Sequence, residues 1–357
     1  MPIVHTQITR LLQCELPIVQ APMAGGGDTP ALVAAVGNAR GFGFLGAAYS
    51  GPEQIGELAR AVRALSSHPF GINLFAPVAA SDFGDIEAAR TRLAPFYAEF
   101  GLDVPLHAPP ADRFDAQLGA ALATEATAVG FTFGLPPHES LARIKGAGKI
   151  LIGTATTVAE GLVLRDAGVD AIVAQGSEAG GHRGTFLGDF GAAMIGTMAL
   201  VPQLVDATGL PVIASGGIMD GRGIAAALAL GAGAVQLGTA FLTCTEAGIV
   251  DAYKNAIVTA AEDDTRITRA FSGRPARGLV NRFLHEMEDA AIAPFPIQNA
   301  LTRPLRSTAA RQGRVEFLSL WCGQAPRLAR RIGAAELVAR LADETRAAIA
   351  QLSRLNG

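Results

Sequence analysis

Eight short apolar runs lie at positions 16–21, 42–46, 70–74, 128–132, 150–154, 171–175, 211–215 and 234–238. Each is nearly continuous in apolar residues rather than alternating with polar ones. Strands covered on both faces need such runs, which is the situation of a parallel sheet flanked by helices. The stretches between them, among them 29–38, 53–65, 139–147, 157–166 and 223–230, combine helix-forming composition with an apolar stripe. Gly168 and Gly231 stand where a helix hands over to the next run. Glycine takes the left-handed conformation of a helix end at little cost. Strand–helix alternation with such short joints means right-handed βα units. Eight in series favour a closed (β/α)8 TIM-like barrel of the α/β class over an open doubly wound sheet, although periodicity alone is compatible with both. The 357 residues suffice for a barrel of roughly 250 residues with insertions.

Two regions break the rhythm. One spans 76–126 and contains Pro105, Pro109 and Pro110; the other runs from about 246 to 312 with Gly273, Pro275, Pro294, Pro296 and Pro304. They follow the third and eighth runs and so leave from the same end of the barrel, the end where active sites sit. The expected organisation is a barrel built on 1–75 and 127–245, a smaller cap or substrate region from 76–126 and 246–312, and a helical tail over 313–357 packed on the barrel. The charge-free stretch 223–245 is long enough to suggest a membrane span. Gly231, Gly233 and Gly238 divide it, and it reads better as helix, turn and buried strand.

The net charge of −3 and the lack of a basic run argue against a nucleic-acid partner. Cys14, Cys244 and Cys322 are far apart and odd in number, as expected of reduced thiols in a cytoplasmic protein, and no cluster has metal-ligand spacing. Met1 to Gln13 is too polar for a signal peptide. The chain is expected as a monomer or a homodimer.

Residues at the carboxyl ends of barrel strands face the ligand. The seventh run ends in Ser215-Gly216-Gly217 and the eighth in Gln236-Leu237-Gly238-Thr239. A phosphate commonly sits between these two loops, where glycines admit its oxygens to backbone N–H groups. Either loop alone reads equally well as an ordinary turn; both together point to phosphate. No P-loop and no dinucleotide fingerprint is present. Gln20, Asn73 and Gln175 place side-chain amides at other strand ends, each suited to a ligand contact or to bracing a loop. Met23 offers an adaptable apolar surface. After the sixth run, Gly176-Ser177-Glu178-Ala179-Gly180-Gly181-His182-Arg183-Gly184 holds one histidine in a glycine turn. Most lone histidines are structural, but one presented this way at the catalytic end reads as a general acid–base group.

Four segments carry a resemblance: Gln20-Ala21-Pro22-Met23, Phe131-Thr132-Phe133-Gly134, the stretch 174–184, and Pro211-Val212-Ile213-Ala214-Ser215-Gly216-Gly217-Ile218. With Ser272-Gly273-Arg274 and Leu320-Trp321-Cys322-Gly323-Gln324, they make nearly the whole chain similar to the class I nitronate monooxygenases. The resemblance implies FMN, a barrel with a smaller substrate domain, oxygen as electron acceptor and alkyl nitronates, typically propionate 3-nitronate, as substrates. The products would be a carbonyl compound and nitrite. It implies flavin contacts from Gln20, Ala21, Pro22, Met23, Asn73, Gln175, Gly180, Gly181, Gly216, Gly217, Gln236, Leu237, Gly238 and Thr239, and His182 as the catalytic residue, either orienting the nitronate or removing the α-proton of a neutral nitroalkane. Thr132, Tyr253, Arg274, Phe295, Asn299 and Arg303 would face the substrate. Thr132 stands where some members carry histidine; Phe295, Asn299 and Arg303 stand where a bacterial type carries two tyrosines and a lysine. The competing reading is an NAD(P)H-dependent FMN reductase of enoyl-thioester or quinone type, which shares the barrel and a histidine after the sixth strand.

Overall fold

The structure, a computed structural model, describes residues 5–77, 85–106, 113–288 and 290–354. Eight parallel strands close into a barrel: Ile18–Gln20, Phe42–Gly46, Phe70–Phe75, Ala128–Thr132, Ile150–Ala155, Ala171–Gln175, Val212–Ser215 and Ala234–Leu237. The last pairs with the first, Val235 opposite Ile18. All eight apolar runs of the sequence are barrel strands, and the barrel excludes the open-sheet alternative. The stretch 223–245 resolves into the helix Gly221–Ala229, the eighth strand and the short helix Thr239–Leu242. Among the described residues no helix is long and apolar enough to cross a membrane.

Apolar residues on both faces of each strand serve two cores. Val19, Phe42, Phe44, Ile152, Val173 and Ile213 fill the barrel interior, and Ile8 and Leu12 of the first helix, Gln7–Leu12, plug its floor. The alternate residues, among them Ile18, Leu45, Ile72, Val129, Leu151 and Val235, meet the surrounding helices. Large and small residues interlock inside: a Cβ on Gly71 would lie 2.2 Å from the Phe44 ring. Threonine and aspartate caps start the helices, with Thr29 and Thr157 accepting from the third N–H of their helices. Gly168 and Gly231 take φ of +78° and +96° at helix ends, as their positions require.

A second core lies over the barrel mouth. Helices Ile86–Ala98, Asp251–Thr259, Arg282–Glu286 and Ile297–Gln312 surround it, with Leu93, Phe96, Phe271, Phe283 and Leu301 buried between them. Two assignments differ from the sequence reading. Helix Phe114–Leu122 falls within the stretch read as cap, yet Phe114, Leu118 and Ala121 belong to the barrel core. Its apolar face completes the layer around the third and fourth strands. Phe317, Leu318, Leu320 and Cys322, read as the start of the tail, are buried in the cap core. The helix Ala334–Ser353 does pack on the barrel, through Leu337, Val338 and Leu341. Residues 78–84 and 107–112 of the first insertion, with Pro109 and Pro110, and 355–357 of the tail lie outside the described residues.

The tail helix crosses the helix Gly221–Ala229 at Gly221, where a Cβ would lie 2.2 Å from the Thr345 nitrogen and 2.3 Å from the Glu344 carbonyl carbon. Backbone cannot yield as a flexible side chain does. Gly221→Ala should therefore destabilise the protein by about 1–3 kcal/mol. Gly146→Ala, where nothing lies within 4 Å, should be neutral or slightly stabilising. Thermal unfolding of the two variants checks this; equal melting temperatures would refute the crossing.

Candidate active site

The strand ends and the cap enclose a cleft of about 460 Å³. On one wall Gly216 and Gly217 take φ of +122° and +70°, a region that residues with a Cβ rarely adopt. The N–H groups of Gly217, Gly238 and Thr239 donate to no acceptor among the described residues. A Cβ on Gly238 would touch only the Ala21 Cβ, at 3.7 Å. The result is an open cradle of unpaired donors, the chemistry that suits an anion. The helix after the seventh strand contributes nothing to it, because the Asp220 carboxylate accepts from its Arg222 and Gly223 amides.

Opposite the cradle, the chain leaves the sixth strand and forms a two-residue strand, Gly181–His182, that joins the cap hairpin Thr265–Thr268 and Ala276–Leu279 as its third member. His182 lies across from Ala276. Several contacts hold this turn. Gln175 donates to the His182 carbonyl at 3.1 Å and accepts from the Gly184 amide at 2.8 Å. The fully buried Arg183 donates to the carbonyls of Gly176, Gln175 and Ala193. Glu160, also fully buried, accepts from Thr156 and from the Phe186 and Leu187 amides. Gly180 passes so close to the strap at Cys322 and Gly323 that a Cβ would lie 2.6 Å from its backbone.

The imidazole Nε2 lies 2.8 Å from the Ser272 Oγ. Phe133, Phe295 and Trp321 surround the ring, with centroids 5.9, 6.0 and 5.4 Å away. Burial, then the charges of Arg274 and Arg306, depress the His182 pKa from 6.5 to about 3, so the ring is neutral near pH 7. Ser272 has one hydroxyl proton and two acceptors in reach. Directed at the Arg274 carbonyl, 3.1 Å away, it leaves Nε2 as the donor and Nδ1 as a bare acceptor. Directed at Nε2, it moves the imidazole proton to Nδ1. The Nδ1 atom meets no hydrogen-bond partner among the described residues.

Most residues singled out from the sequence come together here. Ala21, Pro22, Met23, Asn73, Gln175, Gly180, Gly181, His182, Gly216, Gly217, Gln236, Leu237, Gly238 and Thr239 all line the cleft, as do Thr132, Tyr253, Asn299 and Arg303. Three do not. Gln20 is buried and braces the second strand, accepting from the Phe44 amide and donating to the Phe44 carbonyl at 3.2 Å each. Arg274 donates to the Arg183 and Thr185 carbonyls and lies 3.9 Å over the Phe133 ring, so its guanidinium clamps the loop below His182. Phe295 packs behind His182 on Phe75 and Phe133. Of the amides, Gln236 has no side-chain partner among the described residues, whereas Gln175 is engaged at both ends. Tyr253 donates to the Trp321 carbonyl at 2.8 Å, and burial holds its pKa well above 10.

Four contributors escaped the sequence reading as site residues. Asp28 accepts from the Met23 and Gly46 amides at 2.7 and 2.6 Å and fixes the loop after the first strand. Ser272 touches the imidazole, Tyr49 lines the cleft, and Arg306 enters it beside Arg303. Ser272 stands in a segment that carries the resemblance, and the spacing of Arg306 from Asn299 and Arg303 places all three on one helix face; Asp28 and Tyr49 gave no such signal.

A closed βα barrel carries, beyond its seventh and eighth strands, a cradle of unpaired amides that shares one cleft with a neutral histidine under the cap. A family model described as nitronate monooxygenase matches residues 6–344. A probable nitronate monooxygenase of Staphylococcus aureus strain Newman is 44% identical over 328 residues, covering 90% of this chain and 92% of the relative. Nitroalkane oxidase from Streptomyces ansochromogenes superposes with a TM-score of 0.91 at 43% identity, over 97% of this chain and 99% of that one. FabK from Thermotoga maritima reaches 0.77 at 30% identity, over 99% of each chain. The chain belongs to the nitronate monooxygenase family and is an oxidoreductase of nitronates or nitroalkanes.

The depressed His182 pKa has a consequence for stability. The unfolded chain takes up this proton near pH 6.5, the folded chain not until about pH 3. The contribution of this site to stability therefore declines as pH falls through 6.5 towards 3. The stability lost between about pH 8 and about pH 5 should be smaller in His182→Asn than in the wild type. Denaturant unfolding at both pH values measures it, and an imidazole that titrates near its ordinary value by NMR would contradict the assignment.

Proposed function

We propose that this chain is an FMN-dependent enzyme that oxidises alkyl nitronates, propionate 3-nitronate among them, with O2 to a carbonyl compound and nitrite. The observation that carries the reading is the cradle of unpaired Gly217, Gly238 and Thr239 amides facing a neutral histidine across one cleft. The cradle fits a phosphate monoester. Nothing in the chain offers the dinucleotide fingerprint that an adenylate half would need. FMN bound here would supply the electron acceptor that links substrate to O2.

The chain's own residues bind and orient. Gly216, Gly217, Gly238 and Thr239 would hold the phosphate, and Ala21, Pro22, Met23, Asn73, Gly180, Gly181, Gln236 and Leu237 would contact the flavin, with Gln175 holding the histidine turn beside it. His182 faces the reacting atoms, with Thr132, Tyr253 and Asn299 around the substrate. A nitronate is an anion, and Arg306 makes the cleft favourable to one. A neutral imidazole with its proton on Nδ1 donates to a nitronate oxygen; with its proton on Nε2 it accepts the α-proton of a neutral nitroalkane.

Two measurements test this. The purified protein should release FMN, and Gly217→Asp should lose most of it, since a carboxylate would occupy the cradle and repel the phosphate. A folded variant with full FMN content would show that the phosphate sits elsewhere. His182→Asn should keep FMN and lose turnover by about 10²–10⁴ with neutral nitroalkanes, and less with preformed nitronates if orientation is its role. Unchanged turnover of both forms would remove His182 from the mechanism. Anaerobic NADH or NADPH should leave the flavin oxidised; rapid bleaching would favour the reductase reading.

A further inference from the structure

The helix Ile297–Gln312 turns one face to the cleft, formed by Asn299, Arg303, Arg306, Ser307 and Ala310. Arg306 is held rigidly there. Its Nε donates to the Thr302 hydroxyl at 3.2 Å, and one terminal nitrogen donates to the Asn299 carbonyl and side-chain oxygen at 3.1 and 2.7 Å. Its other terminal nitrogen meets no acceptor among the described residues. No carboxylate pairs with Arg303 or Arg306, although fifteen other ion pairs form among the described residues. The titratable groups that act on Arg306 are Tyr49 and Tyr97, both kept protonated by burial, and Arg303, a like charge, while Arg306 itself acts on the neutral His182. A half-buried guanidinium with no counter-charge, facing a cleft, is poised to pair with an anion that a ligand brings.

The cofactor phosphate is not that ligand. Its cradle lies at the seventh and eighth strands, whereas Arg303 sits 5.9 Å over the Tyr49 ring, and Tyr49 packs on Phe75 at the end of the third strand. Between the arginines and His182 runs an apolar wall. Ring centroids are 5.4 Å apart from Tyr49 to Phe75, 4.4 Å from Phe75 to Phe133 and 5.9 Å from Phe133 to His182. Rings at these separations offer a hydrocarbon chain a continuous surface and no polar partner.

We propose that Arg306, assisted by Arg303, is the specificity-determining subsite for an anionic tail, and that the substrate class is nitronates of straight-chain carboxylic acids longer than propionate. The nitronate head lies at His182, the methylenes lie along Phe133 and Phe75, and the carboxylate pairs with the free edge of Arg306. This rests on the reading of the cleft as a nitronate-oxidising site. It also assigns the anion-holding role to the cap helix, since Arg274 is engaged with backbone carbonyls.

The test has two arms. In the first, kcat/KM is measured for nitronates of ω-nitro acids from three to eight carbons and for nitronates of simple nitroalkanes of equal length, which lack the carboxylate. Wild type should favour the acids, with a rise as the chain lengthens past three carbons. Arg306→Met should raise KM for the acids about tenfold or more, with a much smaller change in KM for the series without a carboxylate; Arg306→Lys should recover part of the loss. The second arm needs no turnover. Calorimetry with unreactive carboxylates from butyrate to octanoate should show binding to the wild-type protein as isolated that strengthens with length and is lost in Arg306→Met, with a smaller loss in Arg303→Met. Equal effects on nitronates with and without a carboxylate, or carboxylate binding indifferent to both arginines, would overturn the proposal. Arginine-dependent carboxylate binding without turnover of any nitronate would sustain the subsite and instead refute the nitronate-oxidising reading.

Discussion

The two-residue strand Gly181–His182 is where the barrel and the cap become one body. A loop leaving the sixth barrel strand could close over the mouth in many ways. Here it completes a cap sheet, so that Ala276 and Arg277 fix the backbone of Gly181 and His182, which line the cleft. Arg183 anchors the far side of the same turn to three carbonyls below it. The strap at Cys322 and Gly323 presses on Gly180 from above, and the Gly323 amide donates to Thr239 at the end of the eighth strand, 2.9 Å away. Cradle, histidine turn, cap sheet and strap thus share their hydrogen bonds.

That continuity explains which features could be read before folding. Eight continuous apolar runs imply strands buried on both sides, and closure follows from their number, so the barrel was legible. So were the strand-end glycines, because the barrel puts such residues at one mouth. Helix Phe114–Leu122 was misplaced because prolines and a long insertion precede it, and only its packing against the barrel core identifies it as a barrel helix. Gln20 and Gln175 illustrate what composition leaves open. Both are amides at strand ends, yet one is sealed in the wall bracing Phe44 and the other holds His182. The difference lies in which neighbour offers a backbone group, a tertiary fact. The same holds for Arg274 and Arg306. Each is an arginine in the cap sequence, but Arg274 finds carbonyls and a phenylalanine face, while Arg306 finds a cleft.

The site's electrostatics follow from those placements. Arg274 lies under the loop and Arg306 beside the cleft, and both lower the His182 pKa in addition to burial. Their charges act oppositely on the two partners of any proton transfer. Moving a proton from a substrate carbon to His182 creates an imidazolium, which the arginines disfavour, and a nitronate, which they favour. A nitronate that arrives already ionised keeps the favourable interaction and needs no imidazolium to form. The arrangement therefore suits the anion better than the neutral nitroalkane, and Ser272 supplies the means. By turning its one proton from the Arg274 carbonyl to Nε2, over distances of 3.1 and 2.8 Å, it converts Nδ1 from an acceptor into a donor without moving the ring. The charge of the incoming ligand decides which arrangement prevails, since an oxygen anion at Nδ1 is repelled by a lone pair and attracted by an N–H. A histidine too weakly basic to hold a proton alone can in this way still present one to an anion.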